Sequence, residues 1–565
     1  MASLTQPNFR LTVRLPPRAD LKVNGPEVNT LALADCFPIT VAPGLSRLFL
    51  DYCEGAASAR PFYASFPRDS AWRNAPLPAD HRVEIADLIA AQNASPPRVA
   101  ALEALRNGAG TVVTGQQVGL FGGPLFTPFK AATAIARARQ ATAAGKPHVA
   151  LFWLASEDHD FAEINHVTFP GRRELHKLVY SRAPQAAVPV GKVVLDDSVI
   201  PLIDEAWELL GSSDAMDALA AAYQPGRTFA HAFAEFYSTV FATQGLLVLD
   251  ASGREFHRIG SPVLRAAIEQ VDDLHAVLLE RNHVLEQAGY HVQVAVAHGS
   301  SLLFLIDHRT GARLALKRLV QTAAEPDGLW QAGRERFSTA DLLGILDSEP
   351  ERISPSALLR PLFQDFLLST SLTIGGPAEV AYFAQSAVLF ERILGRLTPV
   401  HPRFSATLIE PSIADLLRKH ELTLDRVFTE TSSSLAQLLA ARAMPIEGKS
   451  KLAAAGTALD SELESLLDWA RTLDEGLGRS AQTSANKMRY QMNRLRRLAA
   501  NFELQKESSL ARHADAISEA LYPAGTLQER LHGAAWYFAR HGYELSEDLV
   551  KHASDACPGH TVLWL

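Results

Sequence analysis

Short unbroken aliphatic runs alternate with longer stretches of helical spacing through the first three-quarters of the chain. The runs are Thr111–Thr114, Val149–Ala155, Leu246–Asp250, Val292–Ala297, Leu302–Asp307 and Leu372–Ile374. Segments that are apolar at successive positions, rather than every second one, predict strands covered on both faces, as in a parallel sheet. Helical stretches separate many of them: Leu125–Ala144 follows the first, and Ile268–Ala288 precedes Val292–Ala297. This alternation predicts βαβ units and an α/β fold with a doubly wound sheet. Segments from about Pro170 to Phe241 and from about Thr322 to Pro355 break the alternation and read as insertions.

Beyond Pro445 the spacing changes. Leu452, Leu459, Leu463, Leu466, Ala470 and Leu473 step by sevens, fours and threes, and Met488, Met492, Leu495, Ala499 and Phe502 repeat the pattern. Two such seams joined by a turn near Gly476–Ser480 predict an antiparallel helical hairpin. Glu462, Glu464, Lys487, Arg489, Arg494, Arg496 and Arg497 lie between the seam positions and read as solvated faces. A lone two-helix seam leaves apolar surface uncovered, so the hairpin is expected to be a dimerisation arm. The expected division is a core in three parts (1–169, 242–321, 356–444), insertions at 170–241 and 322–355, an arm at 445–520, and a closing segment at 521–565 packed on the core.

A chain of 565 residues exceeds one compact core. A net charge of −8 disfavours nucleic-acid and membrane-surface partners, which require a basic face. Cys36, Cys53 and Cys557 show no CxxC or Cys/His ligand spacing, so neither a disulfide framework nor a zinc site is expected. The opening MASLTQPNFRLTVRLPPRAD lacks the apolar centre of a signal peptide, and the apolar runs are too short to span a bilayer. A cytoplasmic protein is expected.

Three segments carry candidate chemistry. Thr114–Pro124 (TGQQVGLFGGP) joins a strand to a helix through Gly115, Gly119, Gly122 and Gly123, with Lys130 a turn further on. Such a turn lets backbone N–H groups approach an anion, although it matches neither GxGxxG nor a P-loop. Gln116 and Gln117 add amides at the strand end, where open α/β sheets bind ligands. Trp153–Asp160 (WLASEDHD) ends the next strand with Glu157, Asp158, His159 and Asp160, followed by Glu163, Asn165 and His166. Crowded acids repel unless a cationic group compensates, so an Asp is expected to hold a substrate ammonium and His159 to act as general base. The contiguous acids and imidazole lack a metal-ligand geometry, and no metal is expected.

The third segment carries Arg360 and Gln364, then a second Gly-Gly-Pro turn at Gly375 and Gly376 leading to Glu379 and Tyr382. Arg360 suits a carboxylate or phosphate, or equally an ion pair with Asp365. Two Gly-Gly-Pro turns suggest two loops over one crevice. His298 reads as structural or as lining that crevice, and His257, His401 and His532 have no evident partners in sequence. No GxSxG, HExxH or kinase signature occurs, which removes those enzyme classes.

Four segments resemble one family: VVTGQQVGLFGGPLFTPFK (112–130), FWLASEDHDFAEINHV (152–167), SALLRPLFQDFLLSTSLTIGGPAEVAYF (356–383) and LYPAGTLQERLHG (521–533). They are similar to the bacillithiol-biosynthesis cysteine-adding enzymes, BshC, and the likeness runs to GHTVLWL at the end. The resemblance implies a Rossmann-like core similar to that of class I aminoacyl-tRNA synthetases, with connecting insertions and a coiled-coil arm forming a homodimer. It implies a ligase joining cysteine to glucosaminyl-malate through an amide bond. ATP or another adenine nucleotide would activate cysteine, giving a cysteinyl adenylate. The Gly115–Gly123 loop and Lys130, with Gly375 and Gly376, would then hold phosphates, and Asp158 or Asp160 would orient the cysteine ammonium. Arg360 would bind malyl carboxylates and His159 would deprotonate the attacking amine. Gln116, Gln117, Trp153, Glu157, Asn165, Gln364, Glu379 and Tyr382 would complete the substrate site. Two departures stand out. The synthetase signatures HIGH and KMSKS are absent, and Phe129 occupies a position where the family pattern carries histidine.

Overall fold

The structure, a computed structural model, describes residues 33–67, 79–93, 96–171, 174–297, 299–319, 329–554 and 557–565. Its centre is a parallel sheet of five strands: β1 (Gly110–Gln116), β2 (His148–Leu154), β3 (Leu247–Leu249), β4 (Thr370–Gly375) and β5 (Val400–Pro402), in the spatial order β5-β4-β1-β2-β3. Successive residues of each strand enter different cores. Val113, Leu151, Trp153 and Leu249 belong to one buried cluster, while Val112, Phe152, Leu154 and Val248 belong to the other. Both faces being covered is why these strands read as unbroken apolar runs.

Helix α1 (Phe126–Ala143) follows β1 and packs between the sheet and the helix Glu544–Ser554. Helix α2 (Phe229–Val240) covers the same face with Phe233, Phe236 and Tyr237. Helix α3 (Val271–Gln287) begins after a break at Gln270, so the expected stretch Ile268–Ala288 spans the ends of two helices. Helices α4 (Arg360–Leu368) and α5 (Pro377–Leu389) flank β4.

Two of the expected core strands lie elsewhere. Val292–Ala297 forms no strand, because the backbone N–H and C=O of Val294 are satisfied by the side-chain amide of Gln385. Ser300–Ile306 is a strand, but of a separate antiparallel sheet with Arg313–Arg318, Leu329–Ala332, Glu335–Ser338 and Ile353–Pro355. The link from Ile306 to Arg313 is too short for a crossover helix, which forces a hairpin.

The expected hairpin arm consists of α6 (Ile446–Leu473) and α7 (Glu475–Lys506). The turn falls at Asp474, whose carboxylate accepts from Leu477 N, rather than at Gly476–Ser480. An N-cap there lets the glycines continue as helix. The seam also divides. Leu463, Leu467, Ala470 and Ala485 are buried, whereas Leu466, Leu473, Met488, Leu495 and Phe502 are each more than half exposed.

A three-stranded sheet closes the molecule, with His560–Trp564 between Leu33–Phe37 and Ala406–Ile409. Pairing Phe37 with His560 brings together Cys36 and Cys557, which form a disulfide. This corrects the expectation that the cysteines form no disulfide framework. A sequence separation of 521 residues hides the pair from any spacing rule. Among the described residues, no helix is long and apolar enough to cross a membrane.

Candidate active site

The chain runs from β1 outward to β2 and β3, then returns to the other side of β1 for β4 and β5. Connections therefore diverge between β1 and β4, leaving a crevice beyond their carboxyl ends, the usual ligand position in doubly wound sheets. A cleft of about 340 Å³ opens there, with the loops after β1, β2 and β4 on its walls.

One wall is acidic. The Gln117 Nε2 amide donates to Asp158 Oδ2 at 2.6 Å and to Glu163 Oε2 at 2.7 Å, while Asp158 Oδ1 accepts from His159 N at 2.7 Å. Two carboxylates thus converge on one neutral amide, an arrangement suited to a substrate ammonium. Glu163 matters more than its place behind the acidic run suggested.

The opposite wall is cationic, but its charges are unequally committed. Lys130 is buried, and its Nζ donates to Gly115 O at 2.8 Å and Gln116 Oε1 at 2.9 Å while ion-pairing with Glu379. An ammonium has three protons, so no donor remains for a phosphate. Burial lowers the Lys130 pKa, against the opposing pull of Glu379. Glu379 also accepts from Gly376 N at 2.7 Å, capping α5. Lys130 therefore keeps no donor for a ligand, and with Gln116 and Glu379 it ties β1 to α5.

Arg360 is different. Its guanidinium donates to Gln364 Oε1 at 3.1 Å and Tyr382 Oη at 2.9 Å, both neutral. Burial pushes the Tyr382 hydroxyl up to about 12, so it stays un-ionised. Asp365, the alternative partner of Arg360, pairs instead with Arg396 at 2.8 Å. Arg360 thus reaches the cleft with its charge unneutralised by any described carboxylate. Arg530 lines the same cleft, whereas Arg403 is held by a bidentate contact to buried Glu529 at 2.6 and 3.0 Å.

The glycine turn does not cradle the cleft. Gly119, Gly122 and Gly123 are buried, and Tyr223 Oη bridges them by accepting from Gly122 N at 2.9 Å and donating to Gly119 O at 2.7 Å. Tyr237 donates to Gly122 O at 2.7 Å. A Cβ on Gly122 would meet the Phe236 ring at 2.7 Å, and its φ of +81° also favours glycine. The Gly122 amide is taken by Tyr223, and those of Gly119 and Gly123 by Gln117 O and Leu120 O within the turn, which corrects the expectation that they bind an anion. Phe129 is likewise core, edge-on to Phe404 at 5.4 Å. Gly375 is buried, with its carbonyl accepting from Arg403 N.

A second chamber of about 390 Å³ adjoins the cleft, and Ala155, Asp158 and Arg360 line both. Trp153 and Phe304 contribute to its walls. Beneath it Glu157 pairs with buried His257 at 3.3 Å. Burial by itself would neutralise both, yet their mutual attraction holds His257 high and, joined by Arg313, holds Glu157 low. This contact gives His257 the partner that sequence did not reveal. Arg313 reaches in from the antiparallel sheet, stacking over Phe304 at 3.6 Å and donating to Ser354 Oγ, Pro355 O and His159 Nδ1. Sequence reasoning missed it because RLALKR carries no signal of a partner more than 150 residues earlier.

Other expected residues lie outside both chambers. Asp160 is exposed at the start of the short helix Phe161–Ile164, and Asn165 donates to Tyr180 O at 3.1 Å. Gln364 acts through Arg360. His401 is pushed down to about 3 and His532 to about 4 by burial, so both are neutral and structural. His298 lies outside the described residues. Among those residues, no cluster of three or more His, Cys, Asp or Glu side chains is placed to hold a metal ion.

Comparison with known proteins accords with this architecture. Residues 34–404 match the Bacillithiol biosynthesis BshC, N-terminal Rossmann-like domain, and residues 406–565 match the Bacillithiol biosynthesis BshC, C-terminal coiled-coil domain. A protein of Koribacter versatilis named "Putative cysteine ligase BshC" is 38% identical over 94% of this chain and 99% of its own. Proteins of the same name from Solibacter usitatus and Salinibacter ruber are 34% and 32% identical, over 92% and 90% of this chain and 98% and 94% of theirs. With both domains matched in order and relatives aligned almost end to end, the chain belongs to the BshC family.

Proposed function

We propose that the protein is a cytoplasmic cysteine ligase that joins the cysteine carboxyl group to the amine of glucosaminyl-malate, forming the amide of bacillithiol. The observation that carries this reading is the pairing of two opposite seats in one cleft. Asp158 and Glu163 offer carboxylates to an ammonium, and Arg360 offers an uncompensated guanidinium to a carboxylate. An amino acid and an anionic amine need both. The relatives' name, "Putative cysteine ligase BshC", supports the amino-acid half of this reading.

A carboxylate resists attack by an amine because its leaving group is poor, and ATP would supply the activation. The residues fit a polyphosphate only in part, since the glycine turn and Lys130 are committed to the fold. Arg530 is the side chain that would hold it, with Arg360 left for the carboxylate. The protein's own share is to orient the ammonium on Asp158 and Glu163, hold the anion on Arg360, and exclude water beside the apolar wall of Trp153 and Phe304.

Incubating purified protein with cysteine, glucosaminyl-malate and ATP, followed by mass spectrometry, tests this. Bacillithiol with AMP or ADP is expected. Bacillithiol without ATP would remove the adenylate route, and nucleotide binding without product would favour a non-catalytic module. The exposed apolar positions Leu466, Leu495 and Phe502 on the arm support a homodimer. Light scattering should give twice the chain mass, falling to one chain mass in Leu495→Glu/Phe502→Glu.

A further inference from the structure

His159 has the residue type of a general base, yet its surroundings contradict that role. Three groups face its ring. Asp158 Oδ1 lies 3.6 Å from Nδ1, Phe304 packs at 5.7 Å between centroids, and the Arg313 guanidinium donates to Nδ1 at 3.1 Å. A guanidinium has five N–H donors and no acceptor, so this bond requires the lone pair of Nδ1. In a neutral imidazole whose Nδ1 accepts, the proton must sit on Nε2.

We infer that Arg313 locks His159 in the neutral Nε2–H tautomer, which makes His159 a hydrogen-bond donor to a substrate oxygen rather than a proton acceptor. The inference rests on the ligase reading for what the donor contacts, but not for the tautomer itself. Neither nitrogen can take a proton while Arg313 stays in place. Nε2 already carries one, and Nδ1 faces a guanidinium.

Arg313 is well fixed for this purpose. Its side chain is 6% exposed, and separate N–H groups hold Ser354 Oγ at 3.1 Å and Pro355 O at 2.8 Å. Its plane lies on Phe304, and its charge is balanced by Glu157 and Asp158. An arginine anchored on three sides cannot swing away when a substrate enters. Arg313 is thus a positioning residue, supplied by the antiparallel sheet to a loop of the parallel one.

The acid–base work then falls on Asp158, the carboxylate common to both chambers. As the acceptor amine attacks the activated cysteine carbonyl, the C–N bond forms and the leaving group departs with the former C–O bonding pair. The amine proton passes to an Asp158 carboxylate oxygen. His159 lines the larger chamber, and its Nε2–H donates to the carbonyl oxygen as negative charge develops on it.

Protein labelled with ¹⁵N-histidine reads the tautomer directly, with the His159 signals assigned by their loss in His159→Gln. The expected result is an Nε2–H, Nδ1-acceptor pattern at neutral pH. An Nδ1–H tautomer or an imidazolium at pH 7 would overturn the inference. In Arg313→Gln, the Nε2–H pattern should give way to a mixture of tautomers, because the donor that faces Nδ1 is gone. The wild-type measurement decides the matter even if that variant fails to fold.

Kinetics gives a second reading. Glutamine can donate but cannot act as a base, so His159→Gln should stay within about tenfold of wild-type kcat while His159→Ala falls about a hundredfold. Equal loss in both variants would overturn the donor role. A protein that shows the Nε2–H tautomer but makes no product upholds the inference and removes only the proposed reaction.

Discussion

Two loops leave neighbouring strands on the same edge of the sheet, and they do opposite things. The turn after β1 is rich in glycine, and its backbone N–H and C=O groups face inward to the hydroxyls of Tyr223 and Tyr237. The loop after β2 is rich in acids and brings Asp158 to the cleft. Glycine permits close approach, but what approaches here is the aromatic face of α2, not a phosphate. The acidic loop cannot be buried in this way without compensating every charge, so part of it must remain at the solvent edge. Polarity decided which segment turned inward and which reached the cleft.

Breaking the structural tie behind the cleft should have the largest effect. Lys130→Met leaves Glu379 without its cation at a largely buried position and should destabilise the fold by about 3–5 kcal/mol. Thermal melts would show this, and Lys130→Met/Glu379→Gln should recover much of it. A stable Lys130→Met with only a raised KM would instead return Lys130 to ligand binding.

Asp158→Asn removes the charge from the acidic loop while preserving its shape. Its kcat/KM for ligation should fall about a hundredfold, or about 2.7 kcal/mol, with little change in melting temperature. Intact activity would remove Asp158 from the mechanism.

Gly122→Ala probes the other loop. The added methyl would press on the Phe236 ring, at a φ of +81°, and should cost about 2 kcal/mol in urea unfolding. If the turn bound an anion instead, KM for ATP would rise while stability held.

The smallest effect concerns pH. His257 is raised above 6.5, so its contribution is complete below that value and is lost as pH rises through the folded pKa. Glu157 is lowered below 4.5, so its contribution is complete above that value and is lost as pH falls through the folded pKa. The pair therefore stabilises most between about pH 4.5 and pH 6.5. His257→Gln should flatten the decline in melting temperature on the alkaline side, and an unchanged profile would show that the pair is not ionic.

The site was legible in proportion to how local its logic is. Asp158 could be found because an acid at the end of an apolar run is unusual within a few residues. Arg360 could be found as a cation near a strand end, although its freedom from Asp365 depends on Arg396 claiming that acid. Arg313 and the disulfide partners could not, since each acts on residues distant in the chain. Helical spacing located the arm but not its inner face. Leu463 and Leu466 both fit the repeat, yet only Leu463 turns inward.

Sequence alone determined most of the element types, Val292–Ala297 excepted, together with the doubly wound class and the position of the acidic loop, because hydrophobic period and charge crowding operate over a few residues. Tertiary structure decided which charges are spent on the fold and which remain for a ligand. A buried cation keeps its charge only beside a partner, and partners here come from other strands and another sheet. That is why Lys130, prominent in the sequence, became a tie, while Arg313, silent in it, faces His159.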